Sequence, residues 1–134
     1  MAALIFIGGC SADKTPSQTY SEYNSKVISG LEFNDDKAYY TKRKVDEIEL
    51  KFPQYMKKMK KSREEVIEFY LRFSREQAKC KELTLVSENI DGDIANLEYS
   101  QKDICGNESS AQEKQLIRII NEGGWKIDDI EISL

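Results

Sequence analysis

Lys81-Glu82-Leu83-Thr84-Leu85-Val86-Ser87-Glu88-Asn89-Ile90-Asp91-Gly92-Asp93-Ile94-Ala95-Asn96-Leu97-Glu98-Tyr99 is the stretch that decides the fold. Apolar residues alternate with polar ones on both sides of Asp91-Gly92, the two-residue period of a strand with one buried face. An Asp-Gly pair between two such runs predicts a hairpin, because a type I′ turn needs positive φ at both central positions. Centred on that pair, the register places Val86 opposite Leu97 and Thr84 opposite Tyr99. A second hairpin follows: Leu116-Ile117-Arg118-Ile119-Ile120, a turn at Asn121-Glu122-Gly123-Gly124, then Trp125-Lys126-Ile127. Trp125 and Ile127 share one parity, while Ile130, Ile132 and Leu134 share the other. A strand that keeps one face buried changes parity only through an extra residue, which predicts a β-bulge at Asp128-Asp129.

Upstream of Cys80 the period is helical. Tyr20, Tyr23, Asn24, Val27 and Leu31 recur on one helix face after the Pro16-Ser17 start signal. That helix is expected to end at Ser29-Gly30 or, a few residues on, at Asn34-Asp35-Asp36. The trio also offers an N-cap for a second helix, with Ala38, Val45, Ile48 and Phe52 facing inward. Pro53 disfavours helix at Phe52, so a break is expected there, with a short helical piece from Gln54 to Lys60. Ser62-Arg63-Glu64-Glu65 forms a capping box in which Ser62 and Glu65 satisfy each other's backbone N–H. The helix it opens carries Val66, Phe69, Tyr70, Phe73 and Gln77, widened by Ile67 and Leu71. As the most apolar helix, it is expected to pack on the sheet. Helices followed by a four-stranded meander predict an α+β fold, with N-terminal helices packed on the concave face of a curved antiparallel sheet.

The compartment is read from the other end of the chain. Ala2 to Ile7 is an apolar run, followed by Gly8-Gly9-Cys10. This looks like a bacterial lipobox, in which a signal peptidase cuts before the cysteine and its thiol carries a diacylglycerol. The run is shorter than the ~7–15 apolar residues of a complete signal and lacks a basic n-region, so the sequence is expected to begin inside the natural signal peptide. It is also far below the ~20 residues of a membrane-spanning helix. Ser11 to Thr19 is a polar tether, and Ser11 beside the lipidated position resembles the outer-membrane sorting case. The expected organisation is a signal-peptide remnant over 1–9, a lipidated Cys10 with its tether over 10–19, and one domain over 20–134. Three cysteines are present. Lipidation takes Cys10, leaving Cys80 and Cys105 to form a disulfide in an oxidising periplasm. In the hairpin register Cys105 lies on the same face as Cys80 and diagonal to it.

A formal charge of −4, with acids and bases evenly mixed, carries no nucleic-acid signature. Two local basic runs stand out, Lys42-Arg43-Lys44 and Lys57-Lys58-Met59-Lys60-Lys61-Ser62-Arg63. The second reads as a solvated helix face and loop; its functional alternative is attraction to anionic lipid headgroups or an acidic partner.

Gly92-Asp93-Ile94-Ala95-Asn96-Leu97-Glu98-Tyr99, Gln115-Leu116-Ile117-Arg118-Ile119 and Glu122-Gly123-Gly124-Trp125-Lys126-Ile127 together make a recurring pattern. It resembles small bacterial lipoproteins of unknown function in the nuclear transport factor 2-like, cystatin-like cone superfamily. The resemblance runs from about Tyr20 to Leu134 and implies a fold more than an activity, since such folds host enzymes, binders and inert partners alike. The cysteine pair is a departure that the fold does not require.

No histidine occurs anywhere. That removes Ser-His, Cys-His and His-metal chemistry. Tyr39, Tyr40, Tyr70, Tyr99, Asp103 and Asp128 remain as a conceivable acid and base, against the plainer reading of tyrosines at the core edge. The chain is therefore read as a non-catalytic, lipid-anchored module on the periplasmic side of the outer membrane, without cofactor or metal. It would recognise a small apolar ligand or an envelope component. A pocket would be lined by Tyr39, Val66, Phe69, Tyr70, Phe73, Leu97, Tyr99 and Trp125. The alternative is an immunity protein that neutralises a periplasmic toxin, with a face such as Asp128-Asp129-Glu131 meeting the partner; an enzyme using pocket Asp and Tyr comes second. An open pocket favours the ligand, and a filled interior favours surface recognition.

Overall fold

The computed structural model describes residues 14–106 and 113–133, so the leader, Cys10 and most of the polar loop before Glu113 lie outside the described residues. Four helices precede four strands: α1 (Pro16–Ser29), α2 (Phe33–Lys37), α3 (Lys42–Met59), α4 (Arg63–Lys79), β1 (Lys81–Asp91), β2 (Ile94–Asp103), β3 (Glu113–Asn121) and β4 (Trp125–Ser133). The strands form an open antiparallel meander in the order β1-β2-β3-β4. This is the expected α+β architecture, with the helices N-terminal to the sheet. Ala95, Leu97 and Tyr99 of β2, Ile117 and Ile119 of β3, and Ile127 of β4 form its buried face.

The β4 bulge falls where parity requires it. Ile119 pairs with Ile127 and Arg118 with Asp129, which leaves Asp128 as the extra residue and returns Ile130 to the inner face opposite Ile117. The first hairpin differs from expectation. Asp91 pairs with Ile94, so the turn is Gly92-Asp93, and of these two only Gly92 has positive φ, at 61°. One positive φ, at the first central residue, is the type II′ pattern rather than type I′. Leu97 accordingly faces Glu88, not Val86, and Tyr99 faces Leu85, not Thr84. Val86 sits in a second bulge between Leu85 and Ser87. The parity rule explains it as well: Leu83 and Leu85 are odd, Ile90 is even, and all three share a face only with one residue inserted. Below the hairpin, Cys80 and Cys105 are disulfide-bonded with their Cα atoms 5.1 Å apart. The bond ties the α4–β1 junction to the end of β2, where the Ile104 N–H also donates to the Cys80 carbonyl.

α1, not α4, lies on the sheet. Thr15 and Gln18 cap it reciprocally, and its Tyr20, Tyr23 and Val27 are buried against the strands. α4 begins at the Ser62/Glu65 capping box as expected, but it packs mainly on α1 and α3 and meets the sheet chiefly at β1. Val66 is its buried residue, while Phe69 and Phe73 are 43% and 55% exposed. Its inward face carries the small Ser74 and Ala78 after Tyr70, which suits close contact with another helix. The two phenylalanines stack on each other at its flank, with ring centroids 6.1 Å apart.

α3 begins at a Thr41 cap rather than at Asn34-Asp35-Asp36, and it runs through Pro53 without the expected break. Pro53 is exposed and forgoes one bond, to the Glu49 carbonyl, while buried Phe52 packs the same turn against Phe33 and Tyr70. The acidic trio instead contributes to the short α2, which places Asp36 inside. Beyond it the chain extends along β4: the Ile127 N–H donates to the Tyr39 carbonyl at 2.8 Å and the Thr41 N–H to the Ile127 carbonyl at 2.9 Å. That bridge covers part of the β4 edge.

Candidate functional site

The space between α1 and the sheet is occupied by tyrosines. Tyr20 meets Tyr99 at 5.3 Å between ring centroids and Tyr23 meets Tyr40 edge-on at 5.4 Å, all four residues buried. Their hydroxyls are paired. Tyr20 donates to Gln115 at 2.8 Å, and Gln115 in turn bonds Gln101 on the neighbouring strand. Tyr23 donates to Asp36 Oδ1 at 2.7 Å and lies 2.7 Å from the Tyr40 hydroxyl, while Tyr70 donates to Asp36 Oδ2 at 3.1 Å. Asp36 is 2% exposed and has neutral hydroxyls around it rather than a cation. Burial raises its pKa, and the two tyrosine hydrogen bonds oppose that rise. Burial also raises Tyr20, Tyr23, Tyr40 and Tyr70 well above the usual phenol range. Among the described residues no buried side-chain nitrogen or oxygen lacks a partner. The cluster joins α1, α2 and α4 and has the character of a structural knot.

Asp128 forms a second buried centre, 3% exposed, at the β4 bulge. Its carboxylate accepts from the Thr41 hydroxyl at 2.8 Å, Arg43 Nε at 2.9 Å and Arg118 Nε at 2.7 Å, and Arg43 also donates to its carbonyl at 2.6 Å. Burial alone would raise this acid, but the Arg43, Thr41 and Arg118 hydrogen bonds outweigh it and hold the pKa down to about 2. The expected acidic face is thereby corrected: Asp128 is neutralised beneath two arginines, leaving Asp129 and Glu131 as its outward acids. The bulge was legible from parity; its two guanidinium partners, on α3 and β3, were not.

An open cleft of about 890 Å³ lies at the rim, between α1, the chain around α2 and the β3–β4 turn. Trp125, Tyr39 and Leu31 give it aromatic and aliphatic wall, and Lys14, Lys26, Lys126, Glu22 and Asp35 give it charge. Lys26 Nζ stands 5.5 Å over the Tyr39 ring and 3.3 Å from Glu22. Lys14 also pairs with Glu22, and hydrogen bonding from Lys14, then Lys26, holds the Glu22 carboxyl below its usual range. Lys126 donates to the Ala38 carbonyl at 2.7 Å. Gly123 and Gly124, at φ 66° and 135°, let the turn fold back so that Trp125 closes one wall.

The eight residues expected to line one pocket do not converge. Tyr39 and Trp125 share the rim cleft. Leu97, Tyr99 and Val66 are buried in packing, Tyr70 holds Asp36, and Phe69 and Phe73 are on the outer flank of α4. Of the conceivable acid–base residues, only Tyr39 lines the cleft; Asp103 accepts from the Cys105 N–H at 2.8 Å and lies 3.5 Å from Lys81. Asp36, the most deeply buried acid among the described residues, falls in the trio that the sequence marks as a helix end or cap. The one signal pointing elsewhere was the number of tyrosine hydroxyls in a chain without histidine to accept from them. Among the described residues no group of three or more acids or cysteines is placed to hold a metal ion, and no helix is long and apolar enough to cross a membrane. Compared with protein-family models, curated proteins and solved structures, the chain matches none.

Proposed function

We propose that the chain is a non-catalytic, lipid-anchored module of the cell envelope that recognises a protein component through its surface, at the rim cleft. The observation that carries this reading is the filled helix–sheet interior. An apolar ligand would need the volume that Tyr20, Tyr23, Tyr40 and Tyr99 occupy, and displacing them would strand hydroxyls now paired with Gln115 and Asp36. At the rim, aromatic walls and mixed charges meet solvent, a composition that suits a protein segment: aromatics supply buried area and charges set orientation. The Gly8-Gly9-Cys10 motif supports the anchor, and the Cys80–Cys105 bond suits an oxidising compartment. Placement on the periplasmic side of the outer membrane, and kinship with the nuclear transport factor 2-like lipoproteins, are parts of the same proposal. An immunity protein bound to an incoming toxin is one form of surface recognition that the filled interior equally favours.

Photo-crosslinking in cells tests it. A crosslinker at Lys26 is expected to give one dominant protein adduct that the same group at exposed Lys102 does not. Equal adducts from both positions, or a lipid extracted in stoichiometric amount from the purified protein, would overturn the reading. If the partner is a toxin, co-expression restores growth.

A further inference from the structure

We propose that α2 is a proton-operated wall of the rim cleft, held in place while Asp36 carries its proton and released when Asp36 ionises. Asp35, Ala38 and Tyr39 line the cleft, and Asp36 lies in the same turn on its inner side. The chain from Asn34 to Ala38 is anchored at both ends. At one, Phe33 packs against Phe52 and Tyr70, with ring centroids 5.4 and 6.3 Å apart. At the other stand buried Tyr40 and the bridge from Tyr39 and Thr41 to Ile127. Between these anchors Asp36 is the one buried side chain. Its main chain belongs to the wall as well, because the Tyr39 N–H donates to the Asp36 carbonyl at 3.1 Å. Tyr23 makes a second link: its hydroxyl bonds Asp36 while its ring meets Tyr39 at 5.2 Å. On the solvent side Lys126 holds the Ala38 carbonyl through a long side chain that can follow the turn.

The surroundings of Asp36 make the proton decisive. The groups that face it are tyrosines: Tyr23 from α1, Tyr70 from α4 and, one hydroxyl further, Tyr40. The charged side chains on the adjoining elements are matched with each other. Lys37 of α2 pairs with Glu49 of α3, Arg63 of α4 pairs with the same Glu49, and Lys26 of α1 pairs with Glu22. Asp35, the other acid of α2, is exposed in the cleft. Among the described residues no ion pair involves Asp36. A protonated carboxyl fits this site, donating to one tyrosine oxygen and accepting from another hydroxyl. An ionised one has donors but no countercharge, and a charge buried without a cation is costly. Rotating the turn outward returns that charge to water and disturbs only one five-residue helix, too short to be stable alone. The wall is therefore fixed below the folded pKa, which burial raises above the ordinary carboxylate value, and it loosens as pH rises through it. A fixed wall loses less entropy on binding, so the cleft holds its partner more tightly in acid. The device concerns the shape of the cleft and is separable from the identity of what fills it.

Trp125, the only tryptophan, stands in another wall of the same cleft and reports on its shape. The test titrates the full chain from about pH 4 to about pH 8. It reads Trp125 emission and, by hydrogen exchange, the protection of the Ala38, Tyr39 and Tyr40 amides, which bond to Asn34, Asp36 and Lys37. In the native chain the emission is expected to shift in one step as pH rises. Protection of those amides is expected to fall at least about tenfold while Leu97 and Ile119 on the sheet keep theirs. Asp36→Asn keeps an acceptor but cannot ionise, and is expected to fold and show neither change. An emission shift that survives in Asp36→Asn would arise from Glu22 or Asp35 in the cleft itself and would overturn the proposal. Protection of the α2 amides that is flat with pH, or that falls together with the sheet, would overturn it as well. Crosslinking at Lys26 reports separately on what occupies the cleft, so the two readings fail independently.

Discussion

Replacing Asp36 with alanine, and separately with asparagine, tests whether one buried carboxylate organises the helical layer. In the native fold it accepts Tyr23 at 2.7 Å and Tyr70 at 3.1 Å, joining three helices. A hydrogen bond to a charged acceptor contributes about 1.5–3 kcal/mol, but the buried ion carries a desolvation penalty that offsets much of it. In the alanine variant the Tyr23 hydroxyl can turn to Tyr40, 2.7 Å away, so roughly one hydroxyl is left short of a partner. The expected loss is about 2 kcal/mol. Asparagine keeps one acceptor and adds a donor that a tyrosine oxygen can take, so its cost is expected to stay below about 1 kcal/mol. The variants also differ in pH response. Because burial raises the folded pKa, the folded state holds this proton more tightly than the unfolded one. Its contribution is full below the ordinary carboxylate value and is lost as pH rises through the folded pKa. Urea unfolding from about pH 4 upward should show that decline in the native protein and not in the asparagine variant. Equal losses for alanine and asparagine, or the same pH slope in native and asparagine proteins, would refute the assignment.

Asp128→Asn is expected to destabilise by about 1–2 kcal/mol at neutral pH, after discounting for solvent screening of the half-exposed arginines. Its folded pKa of about 2 lies below the ordinary value, so this contribution is present above about pH 4 and lost towards pH 2; melting at neutral and acid pH should show that loss only in the native chain. Cys80→Ser should cost about 3 kcal/mol under oxidising conditions, and nothing further when reductant is present, as expected for a cross-link spanning 25 residues. Trp125 is partly buried against the core, so Trp125→Ala should cost about 2–3 kcal/mol, less than a fully buried tryptophan. Retained folding with loss of the Lys26 crosslink would mark Trp125 as a contact residue as well as a structural one.

Local rules settled much of this fold from the sequence. The Ser62/Glu65 box opens α4, the parity change around Asp128 marks the bulge in β4, and the order of helices and strands defines the α+β class. Each rests on neighbours a few residues apart, which pattern and spacing record directly. The same parity rule, applied to Leu83, Leu85 and Ile90, would have found the β1 bulge and corrected the hairpin register. What only the tertiary structure decided depends on partners distant in the chain. Which helix lies on the sheet turns on contacts such as Tyr20 reaching Gln115, 95 residues away, which the count of apolar residues in each helix does not record. Pro53 stays inside α3 because Phe52 is anchored by Phe33 and Tyr70. Asp36 and Asp128 look alike as acids in a polar stretch, yet one is buried among tyrosines and the other beneath Arg43 and Arg118. Burial and charge pairing are set by what packs above a residue, and no spacing rule carries that information.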